Sequence, residues 1–258
     1  MDWILLLGIA VAPVWILVHG AYVVDRYERE PIRNMLRYVG WGAAICIPAA
    51  AAEFAILKLM GVDSPADTRL GIVSFLFVSF IGIALVEEAG KRAMLQWSAH
   101  RDHNIDEPFD WIVYAVSISM GFALFENILY VFTRGAMTGV MRAFTAVPEH
   151  ALLGTLMGER LARAALLEIQ NRNDPRIRWQ RLMSIVEPTI WHGLYDCLLF
   201  QIGRSDGESE AMQLFCVSGV FVLIISQWVV VFIRVRQQQR HAHFYHRVPP
   251  VLIWKKLM

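Results

Sequence analysis

Four apolar stretches of the chain carry acids and bases where a bilayer disfavours them: Glu87-Glu88-x-x-Lys91, Phe122-x-x-x-Glu126, His150 and His192-x-x-x-Asp196. An acid at the centre of a spanning helix costs roughly 2.5–3.5 kcal/mol on insertion scales. A chain that keeps several of them, on separate segments, is expected to gather them into one polar site. Carboxylates together with imidazoles are the groups that activate water, with or without a metal.

Residues three and four apart share a helix face, so Lys91 reaches both Glu87 and Glu88. It neutralises one carboxylate and leaves the other as a candidate general acid or base. Taken alone, the trio also reads as an ion-pair cluster near the cytoplasmic end of its helix. Glu126 lies deep in an apolar run beside Asn127, and alone reads as a carboxylic acid hydrogen-bonded to a neighbouring helix. His150 alone is a polar packing group. His192 and Asp196, four apart, have the spacing of metal ligands and equally that of an imidazole oriented by a carboxylate. Their joint occurrence on four successive segments favours one site over four separate explanations.

The elements that must position these residues are membrane helices. Of the 258 residues 56% are hydrophobic and 18% charged, with a mean hydropathy of +0.43; a soluble domain carries about 25% charged residues. Seven runs are long enough to span: about 3–24, 39–60, 71–95, 110–133, 144–165, 184–203 and 211–233. The expected architecture is therefore an all-α polytopic membrane protein. It forms one integral domain over 1–258, with a catalytic core at about 71–203. Of the 24 lysines and arginines, 19 fall on alternate connections and the C-terminal tail, headed by Arg26, Arg29, Arg33 and Arg37. The positive-inside rule then places the N-terminus outside and the C-terminus in the cytoplasm.

The first run lacks a basic leader and is too long for a signal peptide, so it reads as a retained helix. Cys46, Cys197 and Cys216 lie inside spans and show no metal or disulfide spacing. Asn173-Asp174-Pro175 breaks the longest connection, 166–183. Gly154-x-x-x-Gly158 allows close helix approach. The tail histidines His241, His243 and His246 are irregularly spaced and read as part of a solvated or lipid-facing tail. Glu53 is a further intramembrane acid, a candidate supporting group for the site.

The order Glu-Glu-x-x-Lys, Phe-x-x-x-Glu, His, His-x-x-x-Asp resembles the PrsW intramembrane proteases, in the clan that also holds the prenyl-protein (CAAX) endoproteases. The surrounding residues carry the resemblance further: Asp110-Trp111-Ile112-Val113-Tyr114, Gly121-Phe122-Ala123, Glu126-Asn127-Ile128-Leu129-Tyr130, Arg142 through His150 to Gly154, and Trp191-His192-Gly193-Leu194-Tyr195-Asp196. It covers about 85–200. The resemblance implies a peptidase in a bacterial cytoplasmic membrane. Its substrate would be a membrane-anchored protein, such as a transmembrane anti-sigma factor cleaved at its first site; no nucleic acid is implied as a partner. Carried over, Glu87 and Glu88 supply the catalytic carboxylate, with Lys91 beside them. Glu126, His150, His192 and Asp196 line the same cavity as metal ligands or polarising groups, and Phe122 and Asn127 are assigned to substrate. Two carboxylates with two histidines suit a divalent metal, zinc above all. The His-Glu-x-x-His signature is absent, and a glutamate-only mechanism of the CAAX kind is the alternative.

Two rival functions use the same residues. A proton- or ion-coupled transporter relays protons through buried carboxylates and histidines, but no inverted repeat is evident. A non-catalytic scaffold would hold a partner's transmembrane helix in the cavity.

Overall fold

The computed structural model describes residues 3–25, 29–204 and 210–245, the last six by backbone alone. The helices are α1 (Trp3–Val24), α2 (Ile32–Leu59), α3 (Ile72–Phe77), α4 (Val86–Ala99), α5 (Asp110–Arg134), α6 (Ala136–Phe144), α7 (Ala146–Gln170), α8 (Arg176–Arg204) and α9 (Glu210–Tyr245). A π-helical stretch, Val78–Leu85, joins α3 to α4 without a break. Among the described residues there is no strand. Each of the seven expected segments is helical. Five of them, α1, α2, Ile72–Ala99, α5 and Glu210–Gln239, are long and apolar enough to cross a membrane. The other two, α7 and α8, carry His150, Glu149 and Glu159, and His192 and Asp196, among the buried polar residues.

Helix ends follow local chemistry. Pro31, with its fixed φ, precedes α2. Gly135, at φ 90°, ends α5 and lets the chain turn at once into α6. That short helix lies on the connection between two of the expected spans. The break around Asn173-Asp174-Pro175 is confined to 171–175, because α7 and α8 each extend beyond their apolar cores. The tail histidines fall outside the side chains described, and His246 lies outside the described residues altogether.

The centre of the bundle is α5. Its residues Ile112 to Ala123 are buried without interruption, so it is apolar on every face, as a helix surrounded by others must be. It packs most extensively on α7, α2 and α1. The α2–α5 crossing is close because Gly42 and Gly121 lie on it. A Cβ at Gly42 would overlap the Ile118 carbonyl, and one at Gly121 the Val39 carbonyl. On the far side α8 packs against α7, α9 and the π-helical stretch. Gly193 makes that last contact possible, since a Cβ there would run into the Phe80 ring. With small residues at its crossings, the bundle brings backbones near enough for short polar side chains to meet.

Candidate active site

Glu87, Glu88 and Lys91 occupy the first turns of α4, and all three are buried. Lys91 Nζ donates to Glu87 Oε2 at 3.1 Å and to Glu88 Oε1 at 2.7 Å, and lies 3.0 Å from His150 Nδ1. Three acceptors thus meet the three N–H bonds of an ammonium. The same nitrogen stands 4.3 Å from the centroid of the Phe122 ring, a cation–π contact that holds the charge in an apolar setting.

His150, near the start of α7, accepts from Lys91 at Nδ1, which leaves Nε2 to donate to Glu126 Oε2 at 2.9 Å. Glu126 also meets Arg142 Nη2 at 2.8 Å. Arg142 Nε donates to Asn127 Oδ1 at 3.0 Å, and Asn127 Nδ2 donates to the Ala10 carbonyl at 2.9 Å. Both ends of the Asn127 amide are therefore engaged within the chain. A simple rise per residue places Glu88 and Glu126 at different depths, and the structure shows what joins them. Side chains tilt toward a helix N-terminus, so Lys91 extends back along α4 toward His150, which spans the remaining gap to Glu126.

His192, on α8, completes the arrangement. Its Nδ1 lies 3.0 Å from Glu88 Oε1, while its Nε2 lies 3.7 Å from Asp196 Oδ2 and 4.0 Å from Glu87 Oε2. The His150 and His192 rings meet edge to face, with centroids 5.6 Å apart. Glu87, Glu88 and His192 each offer a ligand atom within 4.8 Å of the others, a group able to hold a metal ion. Glu88 Oε2 and Asp196 Oδ2 are buried and have no hydrogen-bond partner among the described residues. Oxygen and imidazole ligands sit about 2.0–2.2 Å from zinc, hence roughly 3.4 Å from one another in a tetrahedral site. The spacing of His192 Nε2, Glu87 Oε2 and the unpartnered Asp196 Oδ2 fits a small divalent ion.

The sequence-predicted charged residues, together with Arg142, thus form one continuous chain of polar contacts. It runs from Arg142 through Glu126, His150, Lys91 and Glu88 to His192, with Glu87 and Asp196 flanking its end. Glu126 and His150 sit on the far side of Lys91 from the Glu87–Glu88–His192 group. Phe122 walls the site. Two contributors escaped the sequence reading. Arg142 shares a short connection with Arg134 and lies eight positions before His150. Glu149 is buried beside His150 and accepts from Gln227 Nε2 of α9 at 2.8 Å. Gln227 offers no sequence signal at all.

Comparison with known proteins places these residues in context. The family model for PrsW family intramembrane metalloproteases matches residues 30–231. The chain is 33% identical over 194 residues to the Protease PrsW of Bacillus subtilis (strain 168), covering 75% of this chain and 82% of that protein. It is 30% identical over 246 residues to the Protease PrsW of Geobacillus kaustophilus (strain HTA426), covering 95% of this chain and 97% of that protein. No solved structure matches. With this extent of similarity, and with the charged residues of four segments joined inside a helical membrane bundle, the chain belongs to the PrsW family of intramembrane metalloproteases.

Proposed function

We propose that this intramembrane peptidase cleaves a membrane-anchored protein substrate with Glu88 as general base, beside a divalent metal held by Glu87, His192 and Asp196. The observation that carries the assignment is the division of labour at His192. Its Nδ1 faces Glu88 at 3.0 Å, which leaves Nε2 toward Glu87 and Asp196. A histidine that donates one ring N–H to a carboxylate is fixed in the tautomer that presents the other nitrogen to a metal.

Within this reading the chain's own groups divide as follows. Glu88 Oε1 is taken by Lys91 and His192, so Oε2 is the atom that accepts a proton from water. Lys91 holds the two neighbouring carboxylates apart and balances their charge. His150 keeps Lys91 in line and is itself held by Glu126, which with Arg142 anchors the network at α5 and α6. A divalent metal such as zinc bound at the site would supply Lewis-acid polarisation of the scissile carbonyl and a more acidic water. The buried setting excludes bulk water, which strengthens each of these electrostatic contributions.

The family resemblance supports a transmembrane anti-sigma factor as the substrate, cut at its first site, in a bacterial cytoplasmic membrane. The decisive experiment reconstitutes the purified chain with a membrane-anchored substrate and compares it with Glu88→Gln. Loss of cleavage with metal retained supports the reading. Near-full cleavage by Glu88→Gln overturns Glu88 as base. Metal-free wild type that is fully active would move the mechanism to carboxylate alone.

A further inference from the structure

The intramembrane site leaves unused a second feature of the bundle. Helices α1, α5, α7 and α9 enclose a cavity of about 370 Å³ that shares no residue with the polar network. On α7 it is Ala151, Leu152 and Thr155, rather than His150, that face it. Away from Arg236 and Gln239 the walls are mainly apolar; Thr155 there donates its hydroxyl to the Ala151 carbonyl at 2.8 Å. An occupant's buried part is therefore expected to be mainly apolar too, because most of the lining side chains cannot hydrogen-bond.

One end of the groove is polar. Gln239 Nε2 donates to the Val24 carbonyl at 2.8 Å and ties α9 to α1. Beside it Arg236 is exposed, lies over the Phe232 ring and has no carboxylate partner among the described residues. This end lies on the face that the basic connections assign to the cytoplasm.

We propose that the groove is a phospholipid site of the cytoplasmic leaflet, with an acyl chain along the cavity and the phosphate on Arg236. Depth and charge carry the assignment. From Trp228 to Gln239 the wall of α9 spans 12 residues, about 16 Å at 1.5 Å for each step between them. That is half of a hydrocarbon core about 30 Å thick, the reach of one leaflet's acyl chain. A substrate's spanning helix would have to cross the whole core and continue past the membrane face, where the Gln239–Val24 bond closes the way. An unpaired guanidinium at headgroup depth pairs with a phosphate diester through charge-assisted hydrogen bonds.

Gly20 provides the means of testing it. This residue lines the groove, and a Cβ built on it meets nothing within 4 Å. Gly20→Phe therefore adds a ring at the groove wall from a position where a Cβ meets open space, and Arg236→Gln removes the charge from an exposed position. Each protein is reconstituted in dioleoyl phosphatidylglycerol, stripped with detergent until loosely held lipid is gone, and weighed intact by native mass spectrometry. Wild type is expected to keep one lipid per chain. Retention is expected to fall about tenfold in Arg236→Gln, the scale of one charge-assisted hydrogen bond, and further in Gly20→Phe. Cleavage of a membrane-anchored substrate by both variants shows that they are folded. Retention in Gly20→Phe equal to wild type overturns the proposal. So does a wild type that keeps no lipid while Gly20→Phe raises KM for substrate, which would make the groove a substrate surface instead.

Discussion

His192 Nδ1 lies 3.0 Å from Glu88 Oε1, although 104 positions separate the two residues in the chain. The contact spends one oxygen of the carboxylate and one nitrogen of the ring, and so determines which atoms of each remain free for chemistry. It also gives the two adjacent glutamates, which the sequence presents as equivalent, different contacts with His192.

Glu88→Gln and Glu87→Gln are therefore expected to differ. Removal of a general base lowers the rate by around 10²–10⁴-fold. Glu88→Gln should do this while keeping bound metal, whereas Glu87→Gln should lose both activity and metal affinity. Rate measurement alongside elemental analysis of each protein separates the cases, and identical metal content in the two variants would contradict the division.

His192→Ala should lose metal far more than it loses stability, because helix packing and the bilayer hold the fold. The wild type is expected to contain about one zinc per chain when purified without chelator. Affinity should decline toward acid, since the ligands bind only when deprotonated. Metal titration at several pH values checks both points. Equal metal content in His192→Ala would remove this residue from the ligand set.

Gly121→Val should destabilise the bundle more than a substitution at an exposed position of α2. The added side chain would collide with the Val39 backbone, which cannot move aside as a flexible side chain can. Overpacking of this kind costs typically 1–3 kcal/mol, occasionally more. A lowered midpoint in thermal unfolding of the detergent-solubilised protein is the expected readout, and an unchanged midpoint would contradict the tight crossing.

Topology has a direct test. With the N-terminus outside, a cysteine replacing Ala66 should react with a membrane-impermeant reagent in intact cells, and one replacing Asp174 should not. The reverse pattern would invert the faces assigned to every connection, the lipid groove included.

Glu30 precedes α2, outside the spans, and receives a hydrogen bond from the Tyr114 hydroxyl. Burial pushes its carboxyl from 4.5 up to about 7, against the opposing pull of that hydrogen bond. The folded state then holds the proton more tightly than the unfolded one. The stability this contributes is full below the unfolded value and is lost as pH rises through about 7. Between about pH 5 and 8 the loss is on the order of 2–3 kcal/mol. Glu30→Gln, neutral throughout, should show a flatter dependence of unfolding midpoint on pH; a slope as steep as wild type would mean that another group titrates.

Much of this protein was determined by its sequence. Apolar run lengths dictate membrane helices, because a bilayer leaves the backbone no alternative. Helical spacing alone places Glu87 and Glu88 against Lys91, and His192 beside Asp196, since three and four residues make one turn. Local order could not reveal how the separate pieces meet. The π-helical stretch before α4, the glycine contact of α8 with Phe80, and the reach of Lys91 to His150 are properties of packed helices. They decide that Glu126 and His150 stand across Lys91 from the carboxylates, and that Arg142 and Gln227 join the polar interior. Helix register and depth are set by side-chain fit between neighbours, and residues distant in the chain acquire their roles only when that fit brings them within hydrogen-bonding range.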